Sequence, residues 1–280
     1  MVDALEPRPA LPADRAERDD AAAPRRAQVP GWIITAVSVA AVLAIWELCG
    51  PLINPLFGTY PSAIVEAFFK LLDSGKLAAA LADSLRPFAA GYALAVIIGI
   101  PLGLLIGSSR VLEAAIGIYV TAGYAMPLVA LVPVLVLWLG LGFAVKVAII
   151  FLMSVFPICI NTWLGVKAVP KTLIEVGKSF VAPNRVILRR IVLPATLPYI
   201  MAGLRLSVGR AVVAMVISEF FTSISGLGAI IQTSANNFDT ATSFVPVIII
   251  MLMAIALNFL FGVIERWVAP WQAELTGRDK

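Results

Sequence analysis

The sequence contains no histidine, only two cysteines and few charges: 14% of its 280 residues are Asp, Glu, Lys or Arg. Without histidine there is no imidazole acid–base chemistry and no histidine metal site, which removes most hydrolase and metalloenzyme readings. Cys49 and Cys159 fall in separate apolar segments, and neither belongs to a C-x-x-C pair. That speaks against a disulfide framework or a cysteine metal site. Soluble domains carry about 25% charged residues. The shortage here, with 60% hydrophobic residues and a mean hydropathy of +0.96, places the chain in a membrane.

Residues 1–30 are rich in Ala, Pro and charge, lack apolar periodicity, and read as a retained, disordered cytoplasmic tail. A cleaved signal would need an apolar core nearer the start. A helix crossing the hydrocarbon needs roughly 20 apolar residues. Six stretches meet that length: 31–50, 88–107, 114–139, 145–164, 198–221 and 244–267. Pro127 and Pro133 break the third, and Pro157 lies in the fourth; each break frees carbonyls that neighbouring helices or water must satisfy. The stretch 61–82 has a helical pattern but carries Glu66, Lys70, Asp73 and Lys76, so it reads as an interfacial helix.

Basic residues set the orientation. With the N-terminus inside, the cytoplasmic segments hold Arg8, Arg15, Arg18, Arg25, Arg26, Arg110, Lys167, Lys171, Lys178, Arg185, Arg189, Arg190, Arg266, Arg278 and Lys280. The outer segments hold Lys70, Lys76 and Lys146, with Arg86 at a boundary. The inverted topology would reverse this bias, so both termini are expected inside, including a cytoplasmic tail at 271–280.

The longest cytoplasmic connection contains "EVGKSFVAPNRVILRRIVLP", residues 175–194. Its Gly177-Lys178-Ser179 triplet invites comparison with a phosphate-binding P-loop. Such a loop needs a strand, then G-x-x-x-x-G-K-[ST], then a helix. Thr172 stands where the first glycine belongs, and a membrane helix ending at Val169-Pro170 stands where the strand belongs. Nucleotide binding by this chain is not expected. Read as helix, the stretch starts at Pro170 and places Leu173, Gly177, Phe180 and Val181 on one face, with Lys171, Glu175, Lys178 and Ser179 on the others. Ala182-Pro183-Asn184 signals a turn, and Asn184 can cap a second short helix over 185–193.

This hairpin resembles the EAA loop of ABC-importer permeases, E-A-A-x3-G-x9-I-x-L-P. Glu175, Ile191, Leu193 and Pro194 hold the matching spacings, whereas Val176 and Gly177 replace the alanines and Val181 replaces the turn glycine. Because glycine permits a left-handed turn, the turn is expected to shift by a residue or two. The resemblance extends from about Tyr60 to Trp271. "SLRPFAAGYALAVIIGIPLGLLIG", "PLVALVPVLVLWLGLG", "FPICINTWLGVKAVP" and "SEFFTSISGLGAIIQ" are all similar to the nitrate/sulfonate/taurine branch of these permeases. The resemblance implies a transmembrane subunit paired with a second permease, two cytoplasmic ATPases that bind ATP and Mg, and an external solute-binding protein. It also implies that the first half of the loop is the coupling helix that seats in the ATPase.

Charge at bilayer depth costs at least about 2.5–3.5 kcal/mol per residue on insertion scales. Arg210 lies near the middle of the fifth span with no acid within reach along its own helix. Two readings stand: a structural arginine paired with carbonyls or with an acid on another span, or a cation lining the solute pathway. Arg205 is expected to reach the inner interface or the coupling region. Glu47, Glu219 and Arg86 lie near the outer ends of spans and read as an interfacial ion cluster, with an outer-gate role as the alternative. The acidic residues inside spans are expected only at such outer ends. Gly91, Gly99, Gly103 and Gly107 form a groove for close helix approach. The stretch "SGLGAIIQTSANNFDTATS" is a surface loop or a short re-entrant helix. Its place in the family favours the second, with Gln232, Asn236, Asn237 and Asp239 toward the vestibule or the docked binding protein.

The expectation is therefore an all-α polytopic permease of about six transmembrane helices in the bacterial inner membrane, with the type I ABC-importer fold and a cytoplasmic coupling hairpin at 170–194. Two copies would make one pathway. The chain would have no catalytic site, metal or cofactor of its own, and no nucleic-acid partner. The ATPase-coupling residues would be Leu173, Glu175, Gly177, Phe180, Val181, Ile191, Leu193 and Pro194. The pathway residues would be Arg210, Glu219 and Gln232, and a pair of Arg210 side chains would suit an anion such as a sulfonate, nitrate or organic acid. An ion-gradient-driven transporter is the alternative, which would call for inverted repeats and intramembrane acids. A purely structural membrane anchor would leave the proline-broken spans and the hairpin unexplained.

Overall fold

The computed structural model describes residues 30–52, 54, 58–222 and 225–268. The tails expected at 1–30 (apart from Pro30) and at 271–280 lie outside the described residues. All regular structure among the described residues is helical. The chain divides into two units, Met1–Cys49 and Gly50–Lys280.

The first unit contributes one helix, α1 (Gly31–Cys49). It is apolar on every side and almost wholly exposed, as a lipid-facing span requires. Its Thr35 hydroxyl is satisfied by the Gly31 carbonyl at 3.1 Å.

The second unit opens with α2 (Pro61–Asp73), which has proline in its first turn and a Lys70–Glu66 ion pair of 2.7 Å on its exposed face. The Lys70 ammonium holds the Glu66 carboxyl below its usual range. The interfacial helix expected over 61–82 is not one piece. Gly75 enters the left-handed region at φ +69° and ends α2. The remainder then runs without interruption into the membrane as α3 (Lys76–Ser108), through Pro87 and Pro101.

The third span is broken. α4 (Arg110–Ala125) stops at Met126, whose ψ of 137° is the extended conformation that a following proline imposes. A 3₁₀ turn (Leu128–Leu131) leads to α5 (Val132–Leu139), which accepts Pro133 in its first turn. The two arms are bent by 87°. α6 (Phe143–Ala168) continues through Pro157. α7 (Lys171–Ser179) is the first arm of the hairpin. The second arm is not a short helix: it is the start of α8 (Asn184–Thr222), one continuous 39-residue helix. α9 (Leu227–Asn236) is a short helix between α8 and the last span, α10 (Thr240–Val268).

α6 is the centre of the bundle. On one side the glycines of α3 meet it in sequence, Gly91 on Ile150, Gly99 on Ile158, Gly103 on Thr162 and Gly107 on Val166, so the two helices run parallel. A Cβ at Gly103 would lie 2.5 Å from the Cys159 carbonyl oxygen, so the absent side chains are what allow this approach. On its other side α6 packs against α8, with Ile149, Ile150, Val155 and Ile158 meeting Ile200, Met201, Leu204, Val208 and Met215 in one core. Tyr92 enters that core from α3, and its hydroxyl donates to the Leu204 carbonyl at 2.8 Å. Five helices among the described residues are long and apolar enough to cross a membrane, and the bent α4–α5 pair, lying between the parallel α3 and α6, brings the candidates up to the six expected.

Candidate functional site

The hairpin is built by glycine on the inside and apolar side chains on the outside. Gly177 is buried, and a Cβ there would come within 2.9 Å of Ile191 and 3.2 Å of Ile187. Ile174, Ala182 and Ile191 complete a small core with Val166, Val169, Ile187 and Val192, seating α7 on the C-terminal end of α6 and the N-terminal end of α8. Gly177 thus faces inward, away from Phe180 and Val181. The outward stripe is Leu173, Val176 and Phe180, all exposed, with Phe180 at 82% and Val181 at 88%. Glu175 is exposed too, and its carbonyl accepts from the Ser179 hydroxyl at 3.0 Å.

The turn does not shift. Val181 itself takes the left-handed conformation, φ +54°. Its N–H bonds to the Lys178 carbonyl at 2.8 Å, and the Ala182 N–H bonds to the Gly177 carbonyl at 3.1 Å. This pair of bonds is the Schellman ending of a helix. A β-branched residue is strained there by about 1–3 kcal/mol. The position where the motif carries glycine thus takes the left-handed turn in this chain with valine in its place. Beyond the turn, Leu188–Val192 form a π turn, with the Leu193 N–H donating to the Leu188 carbonyl. Pro194, which has no N–H to give, follows directly. Leu193 packs against the main core, which joins the hairpin mechanically to the spans.

Among the described residues Arg210 finds neither an acid nor a carbonyl. Its Nη2 donates to the Tyr124 hydroxyl at 3.0 Å, and its Cζ lies 4.4 Å from the centroid of that ring. Tyr124 is the penultimate residue of α4, beside the break in the third span. A cation is well placed at a helix C-terminus, where the backbone dipole is negative. Nothing in the pattern of α4 distinguished Tyr124 from its apolar neighbours.

Glu219 belongs to a different cluster from the one expected. It is fully buried. Ser84 donates to its Oε1 at 2.6 Å, the Gly228 N–H donates to its Oε2 at 2.7 Å, and the Lys146 ammonium lies 3.9 Å from Oε1. Lys146, itself 4% exposed, also donates to the Ser225 carbonyl at 2.9 Å. Gly226, at φ +106°, packs its bare Cα against the carboxylate, a conformation and a space that only glycine fits. The network ties α3, α6, α8 and α9 together. Arg86, two residues beyond Ser84, is exposed and takes no part in the ion pair with Glu219, and Glu47 lies on α1. Gln232 is half-buried on α9, the helix whose first turn caps Glu219.

At the hairpin end of the bundle, Glu113 pairs with Lys167, which also lies 5.6 Å over the Trp163 ring. Arg205 pairs with Glu265 in the last turns of α10. Glu265 departs from the expectation that acids within spans sit only at the ends that carry Glu47 and Glu219; it lies in the last turns of α10 and pairs with Arg205.

Comparison with known proteins decides what this arrangement is. Residues 99–274 match the family model of the binding-protein-dependent transport system inner membrane component. The chain belongs to that family. The permease is 29% identical over 249 residues to the putative aliphatic sulfonates transport permease SsuC of Bacillus subtilis, spanning 88% of this chain and 90% of that one. It is 33% identical over 213 residues to the riboflavin transport system permease RibX of Chloroflexus aurantiacus, spanning 76% and 80%. Its fold matches a chain of the MetNI methionine ABC transporter in an inward-facing conformation. The TM-score is 0.61 at 16% identity, with 69% of this chain and 96% of that chain covered. The protein is a transmembrane permease subunit of an ABC importer with the type I importer fold. Family membership implies ATPase and binding-protein partners. Nothing in these comparisons favours the ion-gradient alternative.

Proposed function

We propose that two copies of this permease form one pathway for a small oxyanion, such as a sulfonate, nitrate or an organic acid, handed over by an external binding protein. The observation that carries this reading is Arg210: a half-buried cation near the middle of a span whose polar partner is a neutral phenol. A charge held at that depth costs several kcal/mol unless something recovers it, and a passing anion does. The sulfonate permease among the relatives points the same way.

The permease hydrolyses nothing itself. ATP and Mg belong to two cytoplasmic ATPase subunits, which grip Leu173, Val176 and Phe180 on the outward face of α7. Closure of the ATPases moves α7, and through Ile174, Gly177, Ile187 and Ile191 it moves the inner ends of α6 and α8. α8 carries that motion to Arg210 and Glu219 as a rigid body, which is alternating access by rocking of packed helices. Both termini are cytoplasmic in this scheme, and the Glu219 cluster closes the outer end.

The test is reconstitution of the permease with its ATPase and candidate binding proteins loaded with taurine, methanesulfonate, nitrate or riboflavin. Arg210→Gln should assemble and lose most uptake, and Arg210→Lys should recover part of it because charge dominates over planar geometry. A glutamine variant that fails to assemble, or that transports as well as the parent, would refute the pathway role.

A further inference from the structure

Arginine offers five N–H donors and no acceptor. In this permease one of them, on Nη2 of Arg210, is given to the Tyr124 oxygen at 3.0 Å. A phenol that accepts from a guanidinium directs its own O–H elsewhere, so the pair presents mostly donors to its surroundings and carries a net positive charge. The ion pairs among the described residues use Lys70, Lys146, Lys167 and Arg205, and leave this site its charge. Both side chains are half-buried, neither sealed in the core nor lying in open solvent. They meet where α4 ends and the third span bends by 87°. Secondary transporters place their solute sites at broken helices near the membrane midplane, and the same backbone device occurs here.

We propose that Arg210 and Tyr124 together form an oxyanion seat. The guanidinium supplies charge and parallel donors, which suit an anion with two oxygens on one atom. The Tyr124 hydroxyl supplies a further, directional donor. The guanidinium carbon lies 4.4 Å from the Tyr124 ring centroid, a cation–π contact that holds the arginine beside the phenol before the anion arrives. The seat selects sulfonates and carboxylates over halides, which offer no second oxygen. This inference rests on the pathway reading of Arg210 and adds Tyr124 as its specificity-determining partner.

The test uses the permease with its ATPase partner in lipid nanodiscs, carrying 3-fluorotyrosine at position 124. Sodium methanesulfonate, titrated against sodium chloride at equal ionic strength, should give a saturable ¹⁹F shift that chloride does not give. Arg210→Gln should abolish the shift. A second readout needs no label: methanesulfonate should raise the melting temperature of the parent complex through mass action, and raise it less in Tyr124→Phe and not at all in Arg210→Gln. No saturable shift, an equal response to chloride, or a response that survives Arg210→Gln would overturn the seat. If Arg210→Gln abolishes uptake while the fluorine signal of the parent never moves, the pathway reading stands and the seat falls. If Arg210→Gln transports normally while the parent shows an arginine-dependent shift, the seat stands and the pathway reading falls.

Discussion

Ser84 donates to Glu219 at 2.6 Å and, with the same oxygen, accepts from the Leu227 N–H at 2.9 Å. One hydroxyl therefore joins α3, α8 and α9 at a fully buried carboxylate. Removing the carboxylate would strand Lys146, the Ser84 hydroxyl and the Gly228 N–H. Glu219→Ala should cost about 3–5 kcal/mol, the usual result of orphaning a buried charge. Purified complex should fall in yield and in melting temperature. Glu219→Gln, which keeps the oxygen facing Ser84, should lose less. Equal stability of all three proteins in a thermal-shift assay would contradict the network.

The α3–α6 contact gives a matched pair. Gly103→Ala would place a Cβ 2.5 Å from the Cys159 carbonyl oxygen, whereas Gly209→Ala meets nothing within 4 Å. The first should destabilise by about 1–3 kcal/mol through overpacking. The second should be neutral or slightly stabilising, because alanine is the better helix residue. Detergent-resistance or melting curves of the two variants compare them directly.

Val181 holds a strained turn, so Val181→Gly should relax it. The gain should be about 1 kcal/mol, reduced by the greater freedom of glycine in the unfolded chain. Amide exchange at positions 181 and 182, whose N–H groups close the Schellman ending, should slow. Faster exchange would show that the valine side chain holds the turn.

Phe180→Asp changes an exposed side chain, so the permease should still insert and fold. The charge would sit in the apolar seat that the ATPase offers. Loss of ATPase co-purification with unchanged permease yield is the expected outcome. Retention of the ATPase would move the contact elsewhere.

Orientation is checked by labelling. Cysteine at Asn184, exposed at the start of α8, should react with an impermeant thiol reagent only after the cells are permeabilised. Cysteine at Asn237, exposed after α9, should react in intact cells. The reverse pattern would invert the topology.

The parts of this fold that were legible in the sequence are those written locally. Glycines at 91, 99, 103 and 107 announce a close-packed face because their spacing alone defines it. The hairpin is legible from its amphipathic pattern and its motif. What the sequence hid are pairings across long separations. Ser84, Lys146 and Glu219 come from three helices, and Lys146 resembles any lysine of an outer loop until α6 carries it inward. Tyr124 is one aromatic among many. Val181 misled for a different reason: the side chain argued against a left-handed turn, and the seating of Gly177 and Ala182 on α8 imposed one. The continuity of α8 was hidden by Pro194, which reads as a break and is absorbed by the π turn before it.

The parallel match of α3 glycines to α6 side chains also bears on how this chain tolerates changes in length. Each glycine meets its partner at the same offset along the sequence, over the whole interval from Gly91 to Gly107. Deleting one residue within that interval turns everything beyond it by about 100° and swings the remaining glycines away from α6. A deletion in the opposing stretch, Ile150 to Val166, does the same. Between the two stretches lies the bent third span, whose arms meet at a non-helical corner outside the α3–α6 register. Relatives should therefore keep these two intervals at constant length and place their insertions and deletions at the corner and in the loops.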